Sequence, residues 1–443
     1  MGETLKKWCF LGRRWGEIRG SGKYFSLMSA PGTIQRAQIM TLIAAFLGWM
    51  FDGLEMGIFP LVARPALLEF QATTGILDET FVQTWMGRIT ATFLLGAAAG
   101  GLVFGWLGDR IGRVRAMVLS VLAYSLFTGL NYFAEAPWQL ALFRFIAALG
   151  MGGEWSLGVA LVMEAWPQDK RPLMAGFIGA AANVGYVLIA VLGLFVQITT
   201  DSWRWVMLVG AAPALLTLFI MRFVPESESW KHAVAERREA SPLREIFSGA
   251  LRRNTLLAIL FASVALTVTW GIVQWIPLWA DQLTQGQQPK AKAWIQICSC
   301  AGSMLSCVIA PLIGARFGRR PVYFALCLGA LVACSLFFRS FDSYGPGFLA
   351  MTAVVGALTG AFYGWLPQYL PELFPTRVRA TGQGVAFNSG RIIAAVGAWQ
   401  MGGVMAFFGG SYPKAGAAIV FVYVVGMVAI WFAPETKDRP LPE

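Results

Sequence analysis

Charge is scarce in this 443-residue chain: Asp, Glu, Lys and Arg make up 13% of it, against 57% hydrophobic residues. A soluble domain carries about 25% charged residues, so a soluble globular fold is excluded. Histidine occurs once, as His232 in a polar stretch near mid-chain. A histidine proton relay inside a membrane is therefore excluded. Cysteine is sparse. Cys9 lies near the start, and Cys298, Cys300, Cys307, Cys327 and Cys334 lie in or near apolar runs. Their spacing fits no metal site and no disulfide framework. The chain shows no nucleophile–base set and no phosphate-cradling loop. Neither an enzyme nor a cofactor is expected. The net charge is +11, but the basic residues are scattered through loops, which argues against a nucleic-acid-binding surface.

What is abundant is apolar length. Mean hydropathy is +0.60, and Gly 49 and Trp 18 suit close helix packing and membrane interfaces. Runs of about 20 apolar residues can each cross the hydrocarbon core as a helix. The expected spans are 38–60, 86–107, 116–134, 138–164, 172–198 and 203–222, then 255–280, 292–314, 321–338, 347–370, 380–408 and 414–432. The fold class is all-α integral membrane, with the lipid bilayer as its solvent. The expected division is an N-terminal segment 1–37, a six-helix half 38–222, a linker 223–254, a second six-helix half 255–432 and a tail 433–443. The linker, with Glu236, Arg237, Arg238 and Glu239, reads as amphipathic helix.

Lys and Arg orient the chain. The only basic residues in the outer segments are Arg64, Arg204, Lys290, Lys292, Arg339 and Lys414; the rest of the loop Lys and Arg fall on the other side. Both termini and the linker are thus expected in the cytoplasm, with the protein in the cytoplasmic (plasma) membrane. Residues 1–36 contain seven of these basic residues and no apolar core of about 7–15 residues, so a cleaved signal peptide is not expected. Two readings stand for this segment: it lies on the anionic leaflet, or translation starts at Met28 or Met40.

The chain also repeats itself. Gly108-Asp109-Arg110-Ile111-Gly112-Arg113 returns as Gly314-Ala315-Arg316-Phe317-Gly318-Arg319. Glu164-x-x-Pro167-x-x-x-Arg171 returns as Glu372-x-x-Pro375-x-x-x-Arg379. Pro225-Glu226-Ser227 returns as Pro434-Glu435-Thr436. Three returns in one order at nearly one spacing indicate a duplicated membrane protein, the architecture of secondary transporters.

Over residues 38–436 the chain resembles the major facilitator superfamily. Gly105-Trp-Leu-Gly-Asp109-Arg110-Ile-Gly112-Arg113 is similar to its signature loop between helices 2 and 3, and 314–319 to the weaker copy between helices 8 and 9. The resemblance implies that Asp109 sits near the start of helix 11 and closes a cytoplasmic gate. Gating residues would then be Gly105, Asp109, Arg110, Gly112, Arg113, Glu164 and Arg171, with Arg316, Gly318, Arg319, Glu372 and Arg379 in the second half. Ala315 stands where the acid would recur, which implies an asymmetric gate. The Gly152-Gly153-Glu154-Trp155 element and Phe387-Asn-Ser-Gly-Arg391 look most like the proton-linked metabolite, carboxylate and aromatic-acid symporters within the sugar-porter-like group. The sugar porters' Gln- and Asn-rich helix 7 is thin here, with Gln274 almost alone.

Few ionisable residues fall inside the spans, and each costs about 2.5–3.5 kcal/mol at the bilayer centre on insertion scales. Asp52 and Glu55 share one face of helix 1. The resemblance implies an Asp52–Arg144 pair whose opening and closing would load and release a proton. Glu154 is either a second proton site or a hydrogen-bonding support. Arg391 lies about 18 Å into the membrane from Arg379 at about 1.5 Å per residue. Its mate in the first half is Asn183. Arg391 either clamps a substrate carboxylate bidentately or pairs internally with an acid such as Glu154. Arg88, near a boundary, is expected to snorkel. Trp270, Trp275, Trp279, Tyr363, Trp365 and Tyr369 either wall a cavity or pack.

The expected function is secondary transport of a small organic anion with protons, through Asp52, Glu55, Arg144 and Glu154, with substrate held by Arg391, Asn183, Gln274, Trp270 and Tyr363. The transporter is expected to act as a monomer. A uniporter or a sugar or other metabolite symporter of the same fold is the alternative; drug efflux and a transport-derived receptor fit less well.

Overall fold

Glycine sets the two tight turns that the repeat brackets. In a computed structural model of the chain, Gly112 takes φ 109° and Gly318 φ 100°. Each is a single residue between two helices. An L side chain is disfavoured in that region and glycine is not, so adjacent helices reverse direction with no loop between them.

The structure describes residues 36–72, 79–196, 198–235, 242–271, 273–285, 287–288, 290–399, 404 and 407–442. All regular structure among them is helical. The first six spans are α1 (Arg36–Ala72), α2 (Glu79–Ile111), α3 (Arg113–Leu130), α4 (Pro137–Ala165), α5 (Arg171–Phe195) and the pair α6 (Trp203–Val209) and α7 (Ala214–Phe223). Two short helices follow, α8 (Glu228–Ala235) and α9 (Pro242–Ile246). The last six spans are α10 (Gly249–Gly271) with α11 (Ile276–Thr284), α12 (Ala291–Phe317), α13 (Arg319–Ser340), α14 (Pro346–Gly360) with α15 (Phe362–Tyr369), α16 (Arg379–Trp399), and α17 (Tyr412–Ile419) with α18 (Val422–Ala429).

Eleven of these spans are long and apolar enough to cross a membrane; α16 is the twelfth. Thr381, Gln383, Asn388 and Arg391 dilute its hydropathy, and all four are buried against protein rather than lipid. The chain is an integral membrane protein of twelve helices. Each expected span holds a helix among the described residues, with one difference in length. Helix α1 continues to Ala72 through Pro60 and Pro65, and at about 1.5 Å per residue it is much longer than the membrane is thick. Of the expected linker helix, α8 and α9 are described, and the charged run 236–239 lies outside the described residues. So do most of 400–408 and residues 1–35, including the alternative start at Met28.

Interhelical contact is made where side chains are absent. A Cβ on Gly53 would sit 2.0 Å from the carbonyl oxygen of Ala182, and one on Gly100 would sit 1.9 Å from that of Leu149. These close approaches pack α1 on α5 and α2 on α4. Two further pairs, α2 with α16 and α5 with α12, join the first six spans to the last six. The candidate site lies between them.

Candidate functional site

At mid-depth the two sets of helices enclose a cavity of about 90 Å³ lined by Asn183, Tyr186, Trp270, Gln274, Tyr363 and Arg391. Helix periodicity explains the lining. Asn183 and Tyr186 share a face of α5, and Trp270 and Gln274 straddle the break between α10 and the next turn. Every residue named from the sequence as substrate-binding therefore reaches one cavity. Gln296 and Cys300, a turn apart on α12, join them, with the Gln296 amide donating to the Cys300 sulfur at 3.0 Å. The sequence reading missed Tyr186, although its three-residue offset from Asn183 marked it. The other helix 7 and helix 10 aromatics pack instead. Trp279 lies among Phe337, Phe338 and Phe348, and the rings of Trp365 and Tyr369 pack at 4.6 Å, tilted by 33°. Trp275 packs edge-on to Tyr412.

Arg391 is 3% exposed. Its Nη1 donates to Asn388 Oδ1 at 2.7 Å, and its guanidinium lies 5.2 Å over the Phe387 ring. Among the described residues no carboxylate comes within ion-pair distance of it, so the internal Arg391–Glu154 pair is not formed. The floor of the cavity is aromatic: Phe387 stacks on Trp155 at 4.1 Å, and Trp49 meets both.

Beneath that floor lie the buried acids of the first six spans. Arg144 takes Glu55 as its partner, Nη1 to Oε1 at 2.7 Å, and lies over the rings of Phe59 and Phe93 at 4.5 and 4.9 Å. The implied Asp52–Arg144 pair is thus corrected. Asp52 is a turn away on the same face, and its carboxyl neighbours that of Glu154 of α4. The Oε1 of Glu154 lies 1.7 Å from where a Cβ on Gly48 would stand; α1 lacks a side chain there, and the carboxyl fills the gap. Neither Asp52 nor Glu154 has a protein N–H or O–H donor on its carboxyl oxygens.

A polar network closes the end of the bundle that carries the repeated motifs. Asp109 accepts from the backbone N–H of Thr381 at 2.8 Å and of Ala380 at 3.3 Å, and from the Thr381 hydroxyl. An acid from α2 therefore caps the start of α16, where the helix presents its unpaired N–H groups. Arg113 binds Asp109 at 2.6 Å, Glu164 at 3.1 Å and the Thr376 carbonyl at 2.8 Å. Arg379 reaches Glu164 at 3.0 Å and the Pro442 carbonyl at 2.7 Å. The second copy stays within its own half. Arg319 grips Glu372 bidentately at 3.0 and 2.7 Å. Ala315 leaves that copy without an acid to cross the interface.

The Pro-Glu-Ser and Pro-Glu-Thr repeats complete each copy. Ser227 donates to Glu164 and Thr436 to Glu372, while Glu226 and Glu435 accept the backbone N–H groups of Arg113 and Arg319 at 2.9 Å. Their carboxyls shift in opposite directions. Burial pushes Glu226 up despite its backbone donors. At half-exposed Glu435, burial pushes up but four backbone N–H groups prevail, and the carboxyl is held below its ordinary value. Not all the expected gating residues join. Arg110 and Arg316 are exposed and lie over Trp106 and Phe317 of their own helices. Arg171 bonds the Met163 and Trp166 carbonyls at the end of α4.

The model of the Major Facilitator Superfamily matches residues 39–398. A model described as IGP family C-type lectin domain matches residues 372–437, whose described regular structure here is helical. The chain is 27% identical to a cis,cis-muconate transport protein of Acinetobacter baylyi, covering 90% of this chain and 95% of that one. It is 28% identical to a 3-(3-hydroxy-phenyl)propionate transporter of Escherichia coli, covering 88% and 96%. Among solved structures it is similar to a proton:xylose symporter of E. coli bound to 6-bromo-6-deoxy-D-glucose, with TM-score 0.75 and 19% identity over 91% of this chain and 98% of that one. Twelve helices, repeated turns and a mid-membrane cavity agree with the family match: the chain is a membrane transporter of the major facilitator superfamily.

Proposed function

We propose that the protein carries a small organic anion across the cytoplasmic membrane together with protons, by alternating access between its two six-helix halves. The observation that carries the substrate class is Arg391. Among the described residues this guanidinium, buried in a cavity, is hydrogen-bonded to a neutral amide and has no carboxylate within ion-pair distance, and a substrate carboxylate can meet it with two parallel hydrogen bonds. The aromatic walls suit the apolar body of such an acid. Relatives named for muconate and hydroxyphenylpropionate support the same class.

The observation behind proton coupling is the Asp52–Glu154 pair. Two adjacent carboxyls without any other donor cannot both be ionised in a low-dielectric interior, and one proton between them supplies the missing donor. The Asp109–α16 cap and the Arg113–Glu164–Arg379 network form the cytoplasmic gate, closed in this conformation. Both termini lie on that side.

The test uses purified protein in liposomes with a pH-sensitive dye inside and monocarboxylates, aromatic acids, sugars or amino acids outside. Internal acidification with an acid, above that of protein-free liposomes and lost in Arg391→Ala, is the expected result. Acidification with sugars alone would overturn the substrate class. Tracer uptake without acidification would make the protein a uniporter.

A further inference from the structure

Asn388 connects the cavity arginine to the other half of the protein, and every polar atom of its side chain is engaged. Its Oδ1 accepts from Arg391 at 2.7 Å. Its Nδ2 donates to the Gly384 carbonyl of its own helix at 3.0 Å and to the Gly152 carbonyl of α4 at 3.1 Å. The side chain is 1% exposed. It occupies the space left by Gly101 of α2, where a Cβ would lie 1.8 Å from Nδ2. Asn388 is thus wedged between α2 and α4 while anchored on α16. Gly152, its acceptor across the interface, lies two residues before Glu154.

We infer that Asn388 is the positioning residue that links occupancy of Arg391 to opening of the cytoplasmic gate, an inference that rests on the carboxylate reading of Arg391. The charged donor on Oδ1 polarises the amide and strengthens its donation to Gly152, since hydrogen bonds in a chain reinforce one another in a low-dielectric interior. A substrate carboxylate that draws the guanidinium into the cavity pulls Nη1 off Oδ1 and leaves a buried amide oxygen unmet, which is costly. The least costly response is for the amide to leave the α2–α4 wedge, and α16 separates from the first six spans. Because Asp109 caps the start of the same helix, that separation also strains the gate. Substrate binding and gate opening are then two ends of one helix-borne relay, with a coupling expected in the range of about 5- to 150-fold.

Hydrogen–deuterium exchange of the whole protein in nanodiscs tests the relay without a known substrate. The reporter is residues 376–386, whose Ala380 and Thr381 amides are held by Asp109. Asn388→Ala should raise exchange there about fivefold or more. Arg391→Ala, which removes the donor to Oδ1 as a substrate would, should do the same. The double variant should exceed neither single one, because both break one chain. Wild-type exchange in Arg391→Ala, or single effects that multiply in the double variant, would overturn the relay.

Residues 199–206, far from the relay, report whether a variant still folds. If Asn388→Ala loses protection there too, Asn388→Asp decides. It keeps an acceptor for Arg391 but has no N–H for Gly152, so it should open the reporter segment; unchanged exchange would overturn the relay. Adding benzoate or cis,cis-muconate to wild type separates this inference from its premise. Cooperative opening in the variants with no response to any acid would sink the carboxylate reading and leave the link between Arg391 and the gate standing as a structural coupling.

Discussion

Glu55 holds the Arg144 guanidinium at 2.7 Å, while Asp52, one turn away on the same helix, has no cation within ion-pair distance among the described residues. The two acids therefore differ in what their removal costs. Glu55→Gln leaves a buried arginine without its counter-charge, a loss of about 3–5 kcal/mol. We expect a marked fall in apparent melting temperature and poor recovery of monodisperse protein. Asp52→Asn removes a carboxyl that makes no ion pair within 4 Å among the described residues and acts on Arg391 only at longer range, so it should melt closer to wild type than Glu55→Gln does yet lose acid-driven accumulation. Melting curves in detergent and uptake in liposomes check both. Accumulation retained in Asp52→Asn would show that Asp52 carries no proton.

This division of labour was not legible in the sequence. Asp52 and Glu55 sit on one face of one helix, and periodicity cannot tell which of them meets an arginine arriving from α4. That depends on how α1 sits against α4, on the gap at Gly48 that admits Glu154, and on Thr128, whose hydroxyl approaches Glu55 at 3.4 Å. The helices themselves were legible, because a bilayer demands long apolar runs and leaves few other signals. The repeated turns were legible for a similar reason: only glycine fits their positive φ. Long side chains were the least legible. Arg110 and Arg113 are three positions apart, yet one lies over a tryptophan at the surface and the other is wholly buried in the gate network. Asn388 was visible only as an unremarked letter between Phe387 and Arg391.

Arg391→Lys keeps the charge in the cavity and loses the planar fork. A bidentate clamp should fall to a single contact. An accepted carboxylate should then show KM raised about tenfold, equivalent to about 1.4 kcal/mol, with the maximal rate less affected. Initial uptake rates over a range of acid concentrations measure this. An unchanged KM would place the carboxylate elsewhere.

The two turn glycines should differ in how they tolerate a methyl group. Both would pay about 1–3 kcal/mol for an L-residue at positive φ and extended ψ. At Gly112 the added Cβ would also lie 2.3 Å from Glu226 Oε2 and 3.3 Å from Trp230, whereas at Gly318 the nearest atom is Glu435 Oε2 at 2.9 Å. Gly112→Ala should therefore lower the melting temperature more than Gly318→Ala. The reverse order would mean that the second turn, not the first, is the more tightly held.

Acid should separate the two repeat carboxylates, Glu226 and Glu435, because their environments push them in opposite directions. Glu435 is held below its ordinary value of 4.5 by backbone N–H groups. Its ionised form therefore stabilises the folded protein at pH values above 4.5, and that contribution fades as pH falls through the depressed value. Burial raises Glu226 above 4.5, so its ionised form opposes folding near neutrality, and that opposition lifts as pH falls through the raised value towards 4.5. Glutamine mimics the protonated acid in each place. Glu435→Gln should melt below wild type near neutral pH, with the gap narrowing under acid. Glu226→Gln should melt at or above wild type near neutral pH and converge on it under acid. Apparent melting temperatures of the two variants across about pH 4 to 7.5, bracketing the ordinary glutamate range, decide between this and a shared response. Parallel curves would mean that the duplicated motifs are electrostatically equivalent despite their unequal burial.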